Sequence, residues 1–363
     1  MKKLFIALAA FGLLIGACSG PKETEIPVYD IAGDIETPPV DELKVKDLKY
    51  VALDTAENAL LGNYYNLESV AGDTIVMVSD NKDVLLFSMA DGKLIGKLSH
   101  AGQGPGEYNW IQHVYVDRPA HELLIKGSSA NVVNRYTMGD SLIEDLHVPR
   151  YWGTRFIFGS VDDGFNIGEM QGDDYVIHQF DKHFTKTDSI VVKNFDIGYY
   201  AGETWNKGDR SYFINSLSDT LWQVVPGQLL PLAVVNRAGK VMTPEIEKAS
   251  SGKHLAYRDY IKLNYAVSDG NYMMFQVTYG GVDHILIYRL SDGKLVNHSF
   301  IPDKEHEPAL TFNWKGATLP VGNVFISDGR WYGVIDPDYA VDNEGNPDDN
   351  GELNCGIISF ELE

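Results

Sequence analysis

Beyond residue 43 the chain consists of short apolar and aromatic runs separated by turn dipeptides, and apolar residues almost never recur at helical spacing. Short runs bounded by Gly, Asp, Asn and Pro are the pattern of strands joined by tight turns. Asp-Gly occurs at Asp91-Gly92, Asp163-Gly164, Asp269-Gly270, Asp292-Gly293 and Asp328-Gly329, each flanked by apolar or aromatic residues. Both central residues of a type I′ hairpin turn need φ > 0, so each Asp-Gly predicts an antiparallel pair closed by such a turn. One short helix is expected between strands at residues 243–248. Thr243 can cap it, Pro244 suits its first position, and Glu245 and Glu247 favour the positive end of its dipole.

The strand pattern repeats. VLLFSMADGKLIGK, starting at Val84, matches ILIYRLSDGKLVNH, starting at Ile285, an offset of 201 positions. Units of about 40 to 50 residues built from four-stranded meanders are the mark of a β-propeller, and the offset then spans four blades. The segment 264–300 shows one blade nearly whole, with strands at 265–268, 272–278 and 285–290 and a fourth from Lys294. The same grammar predicts an all-β chain of six blades, near 66–100, 111–149, 154–194, 197–237, 263–300 and 320–363. The last blade has only three strands, and an open sheet edge is a liability. The run LKVKDLKYVAL (43–53) is the free strand that could close the ring. A sandwich or two unrelated β domains would explain the turns but not the 201-residue echo.

The first 42 residues differ in kind. Lys2 and Lys3 precede an apolar run over 4–17, shorter than the ~20 residues of a membrane-spanning helix, and therefore read as an export signal. It ends in Ile15-Gly16-Ala17-Cys18, which looks like a bacterial lipobox with Cys18 as the acylated residue. The only other cysteine is Cys355, so no disulfide is expected. The domain organisation is then a signal peptide (1–17), an acylated cysteine and Pro/Glu/Asp-rich tether (18–42) with one short strand possible near 26–31, and a propeller (43–363). A net charge of −21 argues against nucleic acid and bare anionic lipid as partners.

At LDTAENALLGNYYNLESVAGDTIVMVSDNKDVLLFSMADGKLIG, AGQGPGEY and SDTLWQV, the chain resembles the TolB-like or NHL-like six-bladed β-propeller lipoproteins of Bacteroidota. The resemblance implies the propeller fold and an outer-membrane anchor facing the surface or the periplasm. It brings no catalytic residues with it. In that family the motif of Gly102, Gly104, Pro105, Gly106, Glu107 and Tyr108 closes the first blade and leads into the second.

That motif is not a phosphate cradle. Its G-x-G-x-G spacing lacks a following Lys-Ser/Thr, and a strand follows it where a cradle needs a helix. The glycines are expected to supply unusual dihedrals, Pro105 to stiffen the turn, Glu107 to accept backbone hydrogen bonds and Tyr108 to pack. The ten histidines show no paired metal spacing: His121-Glu122 and His306-Glu307 each lack a second histidine. No G-x-S-x-G elbow is present, and residues 160–164 carry only part of a sialidase Asp-box outline. The acidic loop 336–352 is the metal candidate: Asn346, Asp348 and Asn350 imitate the start of a calcium loop, but Ile357 stands where the bidentate Glu belongs. An exposed hairpin loop explains it more simply, and no other cofactor is implied.

Candidate ligand contacts are the aromatics at loop-like positions with charges beside them: Tyr151, Trp152 and Arg155, then Tyr200, Trp205 and Trp314. The expected function is a membrane-anchored envelope module, monomeric, that binds a glycan, peptide or protein through propeller loops. The alternatives are a carbohydrate-active lyase or glycosidase on the same scaffold and a purely structural partner of another envelope protein.

Overall fold

The computed structural model describes residues 26–363 except 119, 129–131, 148–156, 160–163, 173, 194–201, 207–210, 216–217, 242, 244–257, 302–308 and 348–352. Six four-stranded antiparallel blades form a β-propeller. From the innermost strand outward, blade 1 is Tyr65–Ala71, Thr74–Ser79, Asp83–Ser88 and Leu94–Leu98. Blade 2 is Ile111–Asp117, Glu122–Gly127, Val132–Thr137 and Leu142–His147. Blade 3 is Ile157–Gly159, Phe165–Gln171, Asp174–Phe180 and Lys186–Val192, and blade 4 is Gly202–Asn206, Ser211–Asn215, Thr220–Val225 and Gln228–Val235. Blade 5 is Lys262–Ser268, Tyr272–Tyr279, Val282–Arg289 and Leu295–Phe300. Blade 6 takes three strands from the C-terminal end, Val324–Ser327, Arg330–Ile335 and Gly356–Leu362, and its outermost strand, Val45–Ala52, from the N-terminal end. A two-stranded hairpin, Thr311–Trp314 and Ala317–Pro320, sits between blades 5 and 6. Residues 244–248 of the expected helix lie outside the described residues.

The core is distributed around the ring. Each blade is buried on both faces, so a strand such as Thr74–Ser79 is apolar from Ile75 to Val78 without interruption: Ile75 and Met77 pack toward blade 6 while Val76 and Val78 pack toward blade 2. Six apolar clusters fill the six blade-to-blade interfaces, including the 6–1 seam, where Val51, Phe325, Tyr332 and Ile357 meet Leu67, Ile75 and Phe87. Closure comes from Ile357 opposite Val51 and Ile358 opposite Tyr50. At this seam the chain approaches so closely that a Cβ on Gly92 would collide with the Ala52 carbonyl, while the Gly92 carbonyl accepts the Asp54 N–H at 2.9 Å.

Two features depart from the local reading. Among the Asp-Gly pairs whose two residues are described, both have positive φ only at Asp328-Gly329 (50° and 70°); at Asp91, Asp269 and Asp292 only the glycine does, and Asp163 lies outside the described residues. There the aspartate carboxylate accepts a following backbone N–H, from Lys93, from Asn271 and Tyr272, and from Lys294. These turns are therefore longer than a two-residue type I′ link. Residues 26–42 are also not a free tether. Val28 and Tyr29 add a parallel fifth strand outside blade 4, a single helical turn (Ile31–Asp34) follows, and Val40 and Asp41 add a fifth strand outside blade 5. Tyr29, Ile31 and Ile35 are buried between these blades, with Tyr29 against Phe275 and Tyr288 at 5.2 and 4.7 Å, and the Tyr288 hydroxyl donates to Asp34 at 2.6 Å. The strap covers two sheet edges that would otherwise be open. Among the described residues no helix is long and apolar enough to cross a membrane.

Beneath the strap, His298 lies opposite Val40. Its Nε2 is 3.1 Å from Nδ1 of the buried His284, and Phe300 packs edge-on against both rings. Burial holds His298 below the usual 6.5, with the nearby Asp34 carboxylate opposing that shift. The folded state therefore binds fewer protons than the unfolded chain. Its stability is full above about pH 6.5 and declines as the pH falls toward the folded-state value. The thermal midpoint is expected to drop between pH 7 and pH 5, and His298→Phe to flatten that drop. An unchanged slope in the variant would assign the acid sensitivity to other groups.

Candidate binding site

The crossover from blade 1 to blade 2 is a packed corner. The Tyr108 N–H donates to the His100 carbonyl at 3.0 Å, and the Gly102 N–H to the Tyr108 carbonyl at 3.0 Å. Glu107 reaches back to accept the Gly104 N–H at 2.7 Å, and Tyr108 is fully buried. Gly106 has φ +73°, and a Cβ there would stand 2.6 Å from Leu142. Its N–H donates to Asp145 at 3.0 Å, and its carbonyl accepts the Tyr136 hydroxyl. The backbone donors of this corner thus turn inward onto the protein's own acceptors.

A cavity among the described residues lies on the face where the innermost strands begin, at the seam of blades 6 and 1, and measures about 380 Å³. Leu67, Ile301, Val324, Phe325 and Val334 supply its apolar lining. The polar groups are four amides, Asn63, Asn66, Asn81 and Asn323, with Tyr64, Tyr65 and Asp336. None of the four side-chain amides has a hydrogen-bond partner among the described residues. Tyr64 is 73% exposed. The Tyr65 hydroxyl donates to Asp336, and burial together with that carboxylate pushes Tyr65 well above its ordinary value. Tyr65 is thereby kept as a proton-bearing donor and cannot serve as a general base near neutral pH.

The site is held by the elements around it. Asp80 and Asn81 form the tight turn between the second and third strands of blade 1, both with positive φ (48° and 54°). The Asp80 N–H donates to the Tyr64 carbonyl at 2.6 Å, and the Tyr64 N–H to the Asp80 carboxylate at 3.2 Å. Asn323 is fixed by the Val334 N–H, which donates to its carbonyl at 3.3 Å.

A family model described as a domain of unknown function (DUF4934) matches residues 26–354. The chain belongs to the DUF4934 family. No curated protein matches it. Among solved structures, this DUF4934 chain is similar to a candidate exported protein of Bacteroides fragilis, with a TM-score of 0.67 at 16% identity over 93% of this chain and 99% of that one. A member of the DUF4221 family from Bacteroides vulgatus gives 0.51 at 11% identity over 89% and 98%. At these identities the likeness is one of fold, and it agrees with a six-bladed propeller family.

The sequence pointed to other residues. Tyr151, Trp152, Arg155 and Tyr200 lie outside the described residues, as do Cys18, Asp348 and Asn350. Trp205 falls on the innermost strand of blade 4, opposite Tyr212. Trp314 does not line the cavity; it packs half-buried against the blade 5–6 core, its ring 6.2 Å from Tyr50. Asn346 donates through its side chain to Asp342 at 2.7 Å, and the same carboxylate accepts the backbone N–H groups of Glu344 and Asn346, which holds Asp342 below the usual carboxylate range. Among the described residues no cluster of three or more His, Cys, Asp or Glu side chains could hold a metal. The cavity residues carried one local signal, the amide and aromatic cluster Asn63-Tyr64-Tyr65-Asn66 at the start of a strand, and Asp336 opens the acidic loop already noted.

Proposed function

We propose that this DUF4934 chain is an envelope-anchored binding module whose site is the blade 6–1 cavity and whose ligand is a neutral, hydroxyl-rich molecule such as a glycan. The carrying observation is the lining: four unpartnered amides and an exposed tyrosine around an apolar floor. Each amide offers donors and an acceptor to paired hydroxyls, while apolar residues and Tyr64 accept the apolar face of a sugar ring. Among the described residues no Lys or Arg lines the cavity, which supports a neutral ligand over an anionic one. Among the described residues Asp336 is the single lining carboxylate, whereas glycosidic hydrolysis uses two, and this supports binding over turnover. Anchoring through acylated Cys18 is supported by the apolar run that ends there, and the exported Bacteroides relative fits an envelope location.

On a glycan array, the chain is expected to retain neutral glycans without releasing product. Asn63→Ala with Asn323→Ala is expected to weaken retention roughly 30-fold, about 1 kcal/mol for each lost hydrogen bond. Turnover would support the lyase or glycosidase reading, and retention of peptides or of one envelope protein in place of glycans would support the scaffold reading. Incorporation of labelled palmitate, lost in Cys18→Ala, tests the anchor.

A further inference from the structure

The amide and aromatic pair of the cavity recurs in the neighbouring blade. Blade 1 presents Asn63-Tyr64 as the two residues before its innermost strand, which starts at Tyr65. Blade 2 presents Asn109-Trp110 at the same two positions before its innermost strand, which starts at Ile111. Trp110 is 51% exposed, Asn109 is exposed, and the Asn109 amide has no partner among the described residues. Blade 6 has Asn323 immediately before its innermost strand.

The two amide and aromatic pairs are joined through Asn81. Its turn is bonded to Tyr64 on one side, and on the other its carbonyl accepts the Ile111 N–H at 2.7 Å. The Trp110 carbonyl accepts the Ser128 N–H at 2.8 Å, which ties the backbone beneath the indole to the neighbouring turn of blade 2. Tyr64, Asn81 and Trp110 therefore follow one another along one face, with backbone fixed at each point and rings left in solvent. Equivalent positions on blades 1 and 2 offer equivalent chemistry, and a ligand that uses both must itself repeat.

We propose that the site is a groove for a neutral oligosaccharide chain, running from the blade 6–1 cavity over Asn81 to a second subsite at Asn109 and Trp110, where the indole is the stacking platform. This rests on the reading of the cavity as a site for hydroxyl-rich ligands. A peptide backbone would satisfy the amides as well, but two exposed rings one blade apart, with no basic or second acidic group among the described lining residues, match stacked neutral sugar rings better.

The test titrates the full chain with malto-, cello-, xylo- and manno-oligosaccharides of two to six units. For the series that binds, affinity is expected to rise at least tenfold from the dimer to longer chains. Trp110→Ala is expected to abolish that gain while leaving dimer affinity unchanged, and Trp110→Phe to restore part of it. Tyr64→Ala, in the cavity, is expected to weaken every length. Wild-type affinity independent of length, or an unchanged gain in Trp110→Ala, would overturn the groove and leave the single-cavity reading standing. Failure to bind any of the four series would remove both. Trp110 is exposed, and a thermal melt of the variant at the wild-type midpoint shows that the fold is intact.

Discussion

A chain that starts at residue 54 is expected to lose cooperative unfolding altogether, whereas one that starts at residue 43 is expected to keep a single transition at a lower midpoint. The shorter chain lacks the strand Val45–Ala52, so blade 6 exposes the edge of Gly356–Leu362, and buried Tyr50, Val51 and Leu53 leave the seams on either side. Each such side chain contributes roughly 1.5–3 kcal/mol by burial, against a total stability of about 5–15 kcal/mol for a folded domain. The Tyr50 hydroxyl also donates to the Val341 carbonyl at 2.8 Å and accepts its N–H at 3.1 Å, tying the closing strand to the loop between the second and third strands of blade 6. Starting at residue 43 removes only the strap. The ring stays closed, and the lost burial of Tyr29, Ile31 and Ile35 is offset in part by the backbone entropy no longer spent in ordering the strap. Urea titration followed by tryptophan fluorescence, with gel filtration, separates the outcomes. A soluble monomer from residue 54 with the midpoint of the longer chain would show that the closing strand is dispensable.

Trp331→Ala is expected to destabilise the protein by about 3–5 kcal/mol, with Trp331→Phe costing about 1–2. Trp331 is completely buried in the blade 5–6 core, stacked on Phe360 with ring centroids 6.2 Å apart. Its indole N–H donates to Asp269 at 2.7 Å, the aspartate of the Asp269-Gly270 turn in blade 5. That carboxylate accepts the N–H groups of Asn271 and Tyr272 through its other oxygen, so the turn of one blade is pinned to the second strand of the next. Truncation to alanine both opens a cavity and leaves one carboxylate oxygen short of a partner. Phenylalanine fills most of the space and loses only the hydrogen bond. Equal losses in the two variants would place the whole effect in the hydrogen bond and none in packing.

The six-bladed ring was legible in the chain because its determinants are local or repetitive. The echo of VLLFSMADGKLIGK in ILIYRLSDGKLVNH falls on the third and fourth strands of blades 1 and 5, and the three-stranded remainder at the end called for a partner that residues 43–53 supply. The strap was not legible. Its prolines and acids read as a tether, and three apolar anchors, Tyr29, Ile31 and Ile35, acquire meaning only once blades 4 and 5 place a crevice beneath them. The turn geometry at Asp91, Asp269 and Asp292 was misread for a related reason. The dipeptide marks a turn, but whether the aspartate takes φ > 0 or spends its carboxylate on a neighbouring N–H depends on the length of the link.

By itself the sequence determined an all-β chain, its blade count and the segment that closes it, since strand period, turn residues and repeats are written in neighbouring positions. Only the tertiary structure decided where a ligand could sit. The cavity draws Asn63, Asn81, Ile301, Asn323 and Asp336 from stretches that meet because the ring closes between blades 6 and 1. No local pattern specifies that convergence, for it depends on the sum of every blade-to-blade rotation around the ring.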